Sequence, residues 1–208
     1  MIFLLKIKNK GWVDVDLKIF TTEMMCWRFE KALNLCAEGF HWGQLRADGR
    51  KYITHPIKLC QILVYFGIID EDTLIAAIFH DAPESSSVKI LEEIEAYGCD
   101  VVFLVTLLTR TPPDEDFEFY CARILQDYRA VLIKLADRLH NLRNMTKRIH
   151  TGKFFTKKRL KEQVRETVKC IIPMAESAME LFPEHSEKIR EMLDEIEFAV
   201  KMAKLVCD

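Results

Sequence analysis

A chain of 208 residues, half of them hydrophobic, is long enough for one domain with a full hydrophobic core. Its net charge of −2 argues against a broad surface for nucleic-acid polymers or anionic membranes. No apolar run approaches the roughly 20 residues of a membrane span, and lysines rather than a cleavage site follow the apolar start MIFLL, so we expect no signal peptide. The seven cysteines lack CxxC spacing, which predicts reduced, buried thiols in a cytoplasmic protein.

The first predicted elements are two short strands. Residues 2–7 and 12–20 alternate apolar and polar side chains, and the tripeptide NKG (9–11) between them is typical of a hairpin turn. We therefore predict an N-terminal β-ribbon over 1–20. It either packs on the domain, or serves in dimerisation or as a cover for an active site.

Every later element is predicted to be helical, which gives an all-α bundle over 21–208. We expect helices over 23–40, 55–66, 71–81, 88–97, 101–109, 115–125, 128–149, 156–181 and 184–205. Thr54 is expected to cap the second of these helices and Asp70 to open the third, which Pro83 ends or kinks. The β-branched run VVFLVTLLT (101–109) also suits a strand, but its helical surroundings favour a buried helix.

Four side chains with metal-ligating groups lie on three of these helices. His55 begins one helix, His80 and Asp81 end the next, and Asp137 lies within another. Imidazole nitrogen and carboxylate oxygen together suit a divalent transition ion such as Mn²⁺, Fe²⁺ or Zn²⁺. Each residue alone is weak evidence, because a histidine at a helix start is more often a cap or a surface residue. Their order and context indicate one shared site.

The order H…HD…D resembles that of the HD phosphohydrolase superfamily. The flanking residues resemble one branch of it, the hydrolase domain of the RelA/SpoT alarmone enzymes and their stand-alone small relatives. Four segments are similar: HWGQLRADGRKYITHP (41–56), TLIAAIFHDAPE (73–84), YGCDVVFLVTLLTR (97–110) and VLIKLADRLHNLRNM (131–145). The run KLADRLHN is the most specific, and the resemblance leaves the N-terminal ribbon outside.

The resemblance implies a helical HD domain and a metal-dependent hydrolase. The positions that match the family's metal ligands are His55, His80, Asp81 and Asp137, with Mn²⁺ taken by analogy. Glu84 matches the glutamate that orients or deprotonates the attacking water. Arg46 matches a basic residue of the nucleotide-contacting loop, and Asn141 matches the asparagine of the LHN run, on the same helix face as Asp137.

Two positions depart from the family pattern, since Ser85 replaces an acidic residue and Ala47 a basic one. The favoured activity is removal of pyrophosphate from the 3′ position of guanosine tetra- or pentaphosphate. Two alternatives stay open: a hydrolase of another nucleotide, since HDAPE also resembles the HDAxE of HD-type 5′-nucleotidases, and a weakly catalytic nucleotide-binding module. Each implies a nucleotide partner rather than a nucleic-acid polymer or a membrane, and self-association into a homo-oligomer stays open.

Overall fold

The computed structural model of the chain describes residues 3–6, 12–15, 26–41, 43–46, 49–84, 89–110, 115–148 and 156–207. Within these ranges the α-helices are α1 (Cys26–Asn34), α2 (Thr54–Tyr65), α3 (Glu71–Phe79), α4 (Lys89–Glu95), α5 (Cys99–Leu108), α6 (Phe117–Ile124), α7 (Tyr128–Arg148), α8 (Lys157–Glu166), α9 (Ile172–Leu181) and α10 (Ser186–Cys207). The prediction of an all-α bundle is confirmed.

Two short strands precede the helices. Strands β1 (Phe3–Lys6) and β2 (Trp12–Val15) pair in the antiparallel direction. The predicted turn at 9–11 and residues 16–20 lie outside the described residues. The boundary between the ribbon and the helical domain at residue 20 therefore stays a prediction.

Helix α7 lies at the centre of the bundle, where it packs against α2, α3, α5 and α10. Consecutive side chains along its first half are buried, including Val131, Ile133 and Leu135. A helix that is apolar and buried around most of its circumference is a core helix. Polar side chains on α7 are therefore surrounded by protein, and Asp137 is one of them.

The run VVFLVTLLT forms helix α5 and not the alternative strand. Its buried side chains Val101, Leu104, Val105 and Leu108 recur at the spacing of one helical face. Gly98 precedes the helix with φ +107°, a conformation that side-chain-bearing residues rarely adopt. Gly98 thus allows a turn between α4 and α5, and the β-branched residues lie on a helix.

Two predicted helices contain irregular segments. The helix predicted over 23–40 continues beyond α1 as a π-helical segment, Leu35–Phe40. The helix predicted over 156–181 is divided by a π-helical turn, Thr167–Ile171, between α8 and α9. Pro173 explains the second irregularity, because proline has no N–H for the helical ladder and its ring crowds the preceding turn.

The starts of α2 and α3 differ in how their backbone donors are satisfied. The Asp70 side chain accepts a hydrogen bond from the Thr73 backbone N–H at 2.9 Å, so the predicted start of α3 is confirmed. The predicted cap at Thr54 is wrong, because Thr54 is already helical and its hydroxyl donates to the Lys51 carbonyl at 2.8 Å. Helix α3 ends at Phe79, four residues before Pro83.

Six cysteines with described side chains are free thiols. Five of them are buried, namely Cys36, Cys60, Cys121, Cys170 and Cys207. Cys99 is exposed, so the prediction of burial is wrong there, because this residue begins α5 at the surface. Among the helices of the described part of the chain, none is both long and apolar enough to cross a membrane.

The buried face of α5 gives a prediction about stability. Leu104 is fully buried in α5, whereas Leu181 at the end of α9 is 58% exposed. Leu104→Ala should lower the free energy of unfolding by about 2–5 kcal/mol, because it removes buried apolar contacts and leaves a cavity. Leu181→Ala, the matched control, should change it by less than about 0.5 kcal/mol. Urea denaturation measures both, and equal losses would contradict this assignment of the core.

Candidate metal centre

Helix α2 brings His55 to the centre of the site. The residue lies in the first turn of the helix, after the loop formed by residues 41–53, and its side chain is buried. Its Nε2 atom lies 3.3 Å from Oδ1 of Asp137. Burial lowers the pKa of His55 well below its usual range, so the ring is neutral near pH 7 and offers a lone pair.

The end of α3 fixes the orientation of His80. Its Nδ1–H donates to the Ala77 carbonyl at 2.8 Å, one of the carbonyls that the helix end leaves without an intrahelical partner. This bond leaves the lone pair on Nε2, the atom free to ligate. Burial lowers the pKa of His80 to about 4, which keeps the imidazole neutral near pH 7.

Helix α7 supplies the carboxylate of Asp137. The Lys134 ammonium donates to Oδ2 at 3.1 Å, and the Asn141 amide donates to Oδ1 at 2.6 Å. Burial opposes ionisation of Asp137, but the charge of Lys134 outweighs it and holds the pKa of Asp137 well below its usual range. Asp137 is therefore a buried anion at neutral pH.

The ligand atoms of His55, His80 and Asp137 all lie within 4.8 Å of one another, and all three residues are buried. Two neutral imidazoles and one carboxylate that converge in this way form a donor set suited to a divalent transition ion. The residues present thus fit the metal that the sequence pattern predicts.

Asp81, the fourth predicted ligand, lies beside this group. Its Oδ2 is 3.7 Å from Nε2 of His80, and its Oδ1 is 3.6 Å from Nε2 of His41. The carboxylate thus lies between the cluster on one side and a second buried imidazole on the other.

Two histidines near the cluster, His41 and His140, were not predicted as site residues. Nδ1 of His140 lies 2.7 Å from Nδ1 of His55, with the two rings stacked 4.9 Å apart, and burial lowers the pKa of His140 to about 4. One ring donates and the other accepts; when His55 donates from Nδ1, its Nε2 lone pair faces Asp137. The signal for His140 was its position three residues after Asp137, on the same helix face.

The cluster opens into a cavity of about 540 Å³, within the range of small-molecule sites. Its lining includes the polar residues Gln44, Arg46, Tyr52, Lys134, Arg159 and Gln163. Arg46 donates from Nη2 to Oδ1 of Asn141 at 3.3 Å, and Asn141 in turn donates to Asp137. The two residues predicted to bind nucleotide are therefore linked to the candidate ligand on α7.

Glu84 is the remaining predicted site residue. Glu84 ends a 3₁₀ turn, Ala82–Glu84, three residues after Asp81. Its side chain lies outside the description, as do Ala47 and Ser85. The prediction of Glu84 as the catalytic carboxylate therefore stays a prediction, as does the effect of the two departures from the family pattern.

The sequence model of the HD domain family matches residues 32–117. This match covers less than half of the chain. It contains His55, His80 and Asp81, while Asp137 lies beyond it on α7. The match agrees with the resemblance inferred from the four segments.

Relatives of this chain include much longer enzymes. It is 33% identical over 147 residues to a "Probable GTP pyrophosphokinase" of Mycobacterium leprae, covering 67% of this chain and 18% of the relative. It is 32% identical over 151 residues to the "Bifunctional (p)ppGpp synthase/hydrolase SpoT" of Escherichia coli K12, covering 68% of this chain and 20% of the relative. The chain thus spans about a fifth of the length of the curated relatives it matches.

A solved structure matches over a larger share of both chains. It belongs to a study described as "A metazoan ortholog of SpoT hydrolyzes ppGpp and plays a role in starvation responses". The TM-score is 0.66 at 27% sequence identity, and the match covers 85% of this chain and 95% of that one. The helical bundle of this protein is therefore similar to that of the metazoan relative.

The geometry of His80 allows a test of its role as a ligand. His80→Asn places an amide near the position of Nδ1, where it can still donate to the Ala77 carbonyl, but removes Nε2. Mn²⁺ binding should weaken by more than the roughly 10–100-fold typical of losing only an outer partner of a ligand. His185→Asn is a matched control, because that ring stacks on Tyr128 away from the cluster. Equilibrium dialysis with metal analysis measures both, and wild-type affinity in His80→Asn would remove this residue from the site.

Proposed function

We propose that this protein is a metal-dependent phosphohydrolase that removes pyrophosphate from the 3′ position of guanosine tetra- or pentaphosphate. The observation that carries the proposal is the buried cluster of His55, His80 and Asp137 at a cavity with basic residues in its lining. The products would be guanosine di- or triphosphate and pyrophosphate, with one water consumed.

The charge of the cavity favours a polyanionic substrate. Arg46 enters from the loop 41–53, Lys134 from α7 and Arg159 from α8, so cations reach the cavity from three separate segments. The protein as a whole carries a net charge of −2, so this basic character is local. A nucleotide with diphosphates at two positions presents charge at two ends, which suits cations that come from several segments.

The proposed metal ligands are His55, His80, Asp81 and Asp137, with Mn²⁺ as the expected ion. When bound, such an ion supplies Lewis-acid chemistry that polarises a phosphoryl oxygen and acidifies water. The protein contributes neutral imidazoles, because burial lowers the pKa of both histidines, and a permanently ionised carboxylate on α7.

Asn141 and Arg46 are proposed to bind and orient the nucleotide. Asn141 already donates to Asp137, and its oxygen accepts from Arg46. A phosphate or ribose oxygen that enters the cavity would compete for the Arg46 guanidinium, whose planar fork suits phosphate oxygens. Substrate binding would then change the hydrogen bonds of Asn141, the residue that donates to the Asp137 carboxylate on α7.

The relatives support hydrolysis without deciding between the activities in their names. The longer relatives include enzymes named for synthesis and enzymes named for hydrolysis. The metazoan relative, whose chain is covered almost completely, is described as hydrolysing ppGpp, and we extend that activity to this chain. We also propose a cytoplasmic location, with which the free cysteines of the described residues agree.

A panel of nucleotides tests the proposal directly. The protein is incubated with guanosine tetraphosphate and pentaphosphate, a 5′-mononucleotide and a 3′-phosphorylated nucleotide, with Mn²⁺ or with a chelator, and the products are separated by chromatography. We expect pyrophosphate from the two alarmones with Mn²⁺ and none with the chelator. Phosphate from the mononucleotide alone would replace the proposal with a 5′-nucleotidase, and binding without turnover would replace it with a nucleotide-binding module.

Glu84 is proposed to orient or deprotonate the attacking water. Glu84→Gln keeps the size of the side chain and removes the base, so metal and nucleotide binding should persist while turnover falls at least about 100-fold, as expected for lost general-base catalysis. Glu92→Gln on the exposed surface of α4 is the matched control and should keep the wild-type rate. An unchanged kcat in Glu84→Gln would assign the role to another group.

A further inference from the structure

Two buried polar atoms face each other beside the cluster. Nε2 of His41 and Oδ1 of Asp81 are 3.6 Å apart, and neither has a hydrogen-bond partner among the described residues. His41 is only 4% exposed. Buried side-chain polar atoms are nearly always hydrogen-bonded. Two such atoms that lack partners and face each other therefore suggest a donor–acceptor pair with a role in the site.

The imidazole of His41 is held in place on its other sides. Its Nδ1 lies 2.6 Å from Oε1 of Gln44, and its ring stacks on Tyr52 with centroids 4.1 Å apart. Its backbone N–H donates to the Cys36 carbonyl at the end of the π-helical segment. The ring therefore presents Nε2 to Asp81 with little freedom to turn away.

The tautomer of His41 decides what this contact does. A proton on Nδ1 alone would set the Nε2 lone pair against the Asp81 carboxylate. Gln44 carries both a carbonyl and an NH₂ on one amide, so half a turn of that amide lets it donate to Nδ1. The ring proton then lies on Nε2 and points at Oδ1 of Asp81, 3.6 Å away. An approach of a few tenths of an ångström, about the excess over hydrogen-bond distance, satisfies both buried atoms.

The second oxygen of Asp81 faces the cluster. Oδ2 lies 3.7 Å from Nε2 of His80, on the side where the three candidate ligand atoms meet. A buried carboxylate is stable as an anion only when hydrogen bonds or charges replace its lost hydration. A donor on Oδ1 supports the charge and leaves Oδ2 for ligation, which is how ligating carboxylates are commonly held.

We propose that His41 is a positioning residue that donates from Nε2 to Asp81 and turns the other carboxylate oxygen toward the metal. The inference rests on the metal centre of the proposed function. Gln44 and Tyr52, which hold the ring, also line the cavity. The row Gln44–His41–Asp81 thus connects the loop 41–53 to the metal centre, so that a nucleotide contacting this loop acts on the orientation of a ligand.

Two amide substitutions of His41 separate its two nitrogens. His41→Asn keeps a polar group near Nδ1 but has nothing at Nε2, whereas His41→Gln extends an N–H donor toward the position of Nε2. We expect His41→Asn to weaken Mn²⁺ binding roughly 10–100-fold, and His41→Gln to stay close to wild type. Titration calorimetry with Mn²⁺ alone measures the affinity, and the thermal midpoint of the metal-free protein reports stability separately.

The outcomes distinguish this inference from the metal centre on which it rests. Wild-type protein that binds no Mn²⁺ would refute the metal centre before any variant is compared. Equal affinity in wild type and His41→Asn, or equal losses in both amide variants, would overturn the role of the Nε2 donor. Gln44→Leu serves if substitution of the buried ring prevents folding. Gln44 is exposed, so its substitution is tolerated more easily, and Gln44→Leu removes the hydrogen-bond partner of His41 Nδ1. This variant should also weaken Mn²⁺ binding, and unchanged affinity would overturn the proposal.

Discussion

The ionised carboxylate of Asp137 is the group on which the arrangement of the site depends. A carboxylate inside a protein loses its hydration and is stable only when charges and hydrogen bonds replace the water. Two of the replacements, from Lys134 and Asn141, lie on the same helix, three residues before and four residues after it. Residues at these spacings share one helix face, so α7 carries the anion and its compensation as one unit.

The imidazoles around this anion are kept neutral by the same burial. The pKa of His80 and of His140 is lowered to about 4, and that of His55 lies well below its usual range. Protonated rings would neutralise the carboxylate and occupy the lone pairs that a metal needs. Lys134 takes Oδ2 of Asp137 while His55 faces Oδ1, so the fixed protein charge and the lone pairs lie at different oxygens of one carboxylate.

The elements and most of the cluster could be predicted because they depend on local patterns. The helical surroundings of the run 101–109 are enough to favour a helix at α5, and the order of His55, His80 and Asp137 is enough to suggest one site. The contact of His41 with Asp81 could not be predicted, because it joins residues 40 positions apart through side-chain orientations that only packing sets. The pairing of His55 with His140 spans 85 positions and needs α2 and α7 to be in contact.

Prediction from local residue preferences also failed at Thr54 and Pro173, where the neighbouring backbone sets the outcome. Threonine is a common helix-capping residue, yet Thr54 lies inside α2 because the preceding turn already places it there. Its hydroxyl therefore donates to the Lys51 carbonyl and does not cap the helix. The sequence predicts one long helix through Pro173, but proline has no N–H for the helical hydrogen bonds. The turn before it widens into a π-helical segment. Residue propensities indicate which side chains suit a helix or its cap. The conformation of the neighbouring backbone decides which hydrogen bond the side chain forms.

The position of His80 and Asp81 at a helix end has a physical reason. Within a helix, the Ala77 carbonyl would accept the backbone N–H four residues later, and at a helix end this acceptor is open to a side-chain donor. Because α3 ends at Phe79, His80 can bond this carbonyl through Nδ1 and direct Nε2 to the cluster. Asp81 then follows in a turn, so its carboxylate reaches between His80 and His41. The end of one core helix thereby fixes a ring tautomer and sets the neighbouring carboxylate at the edge of the site.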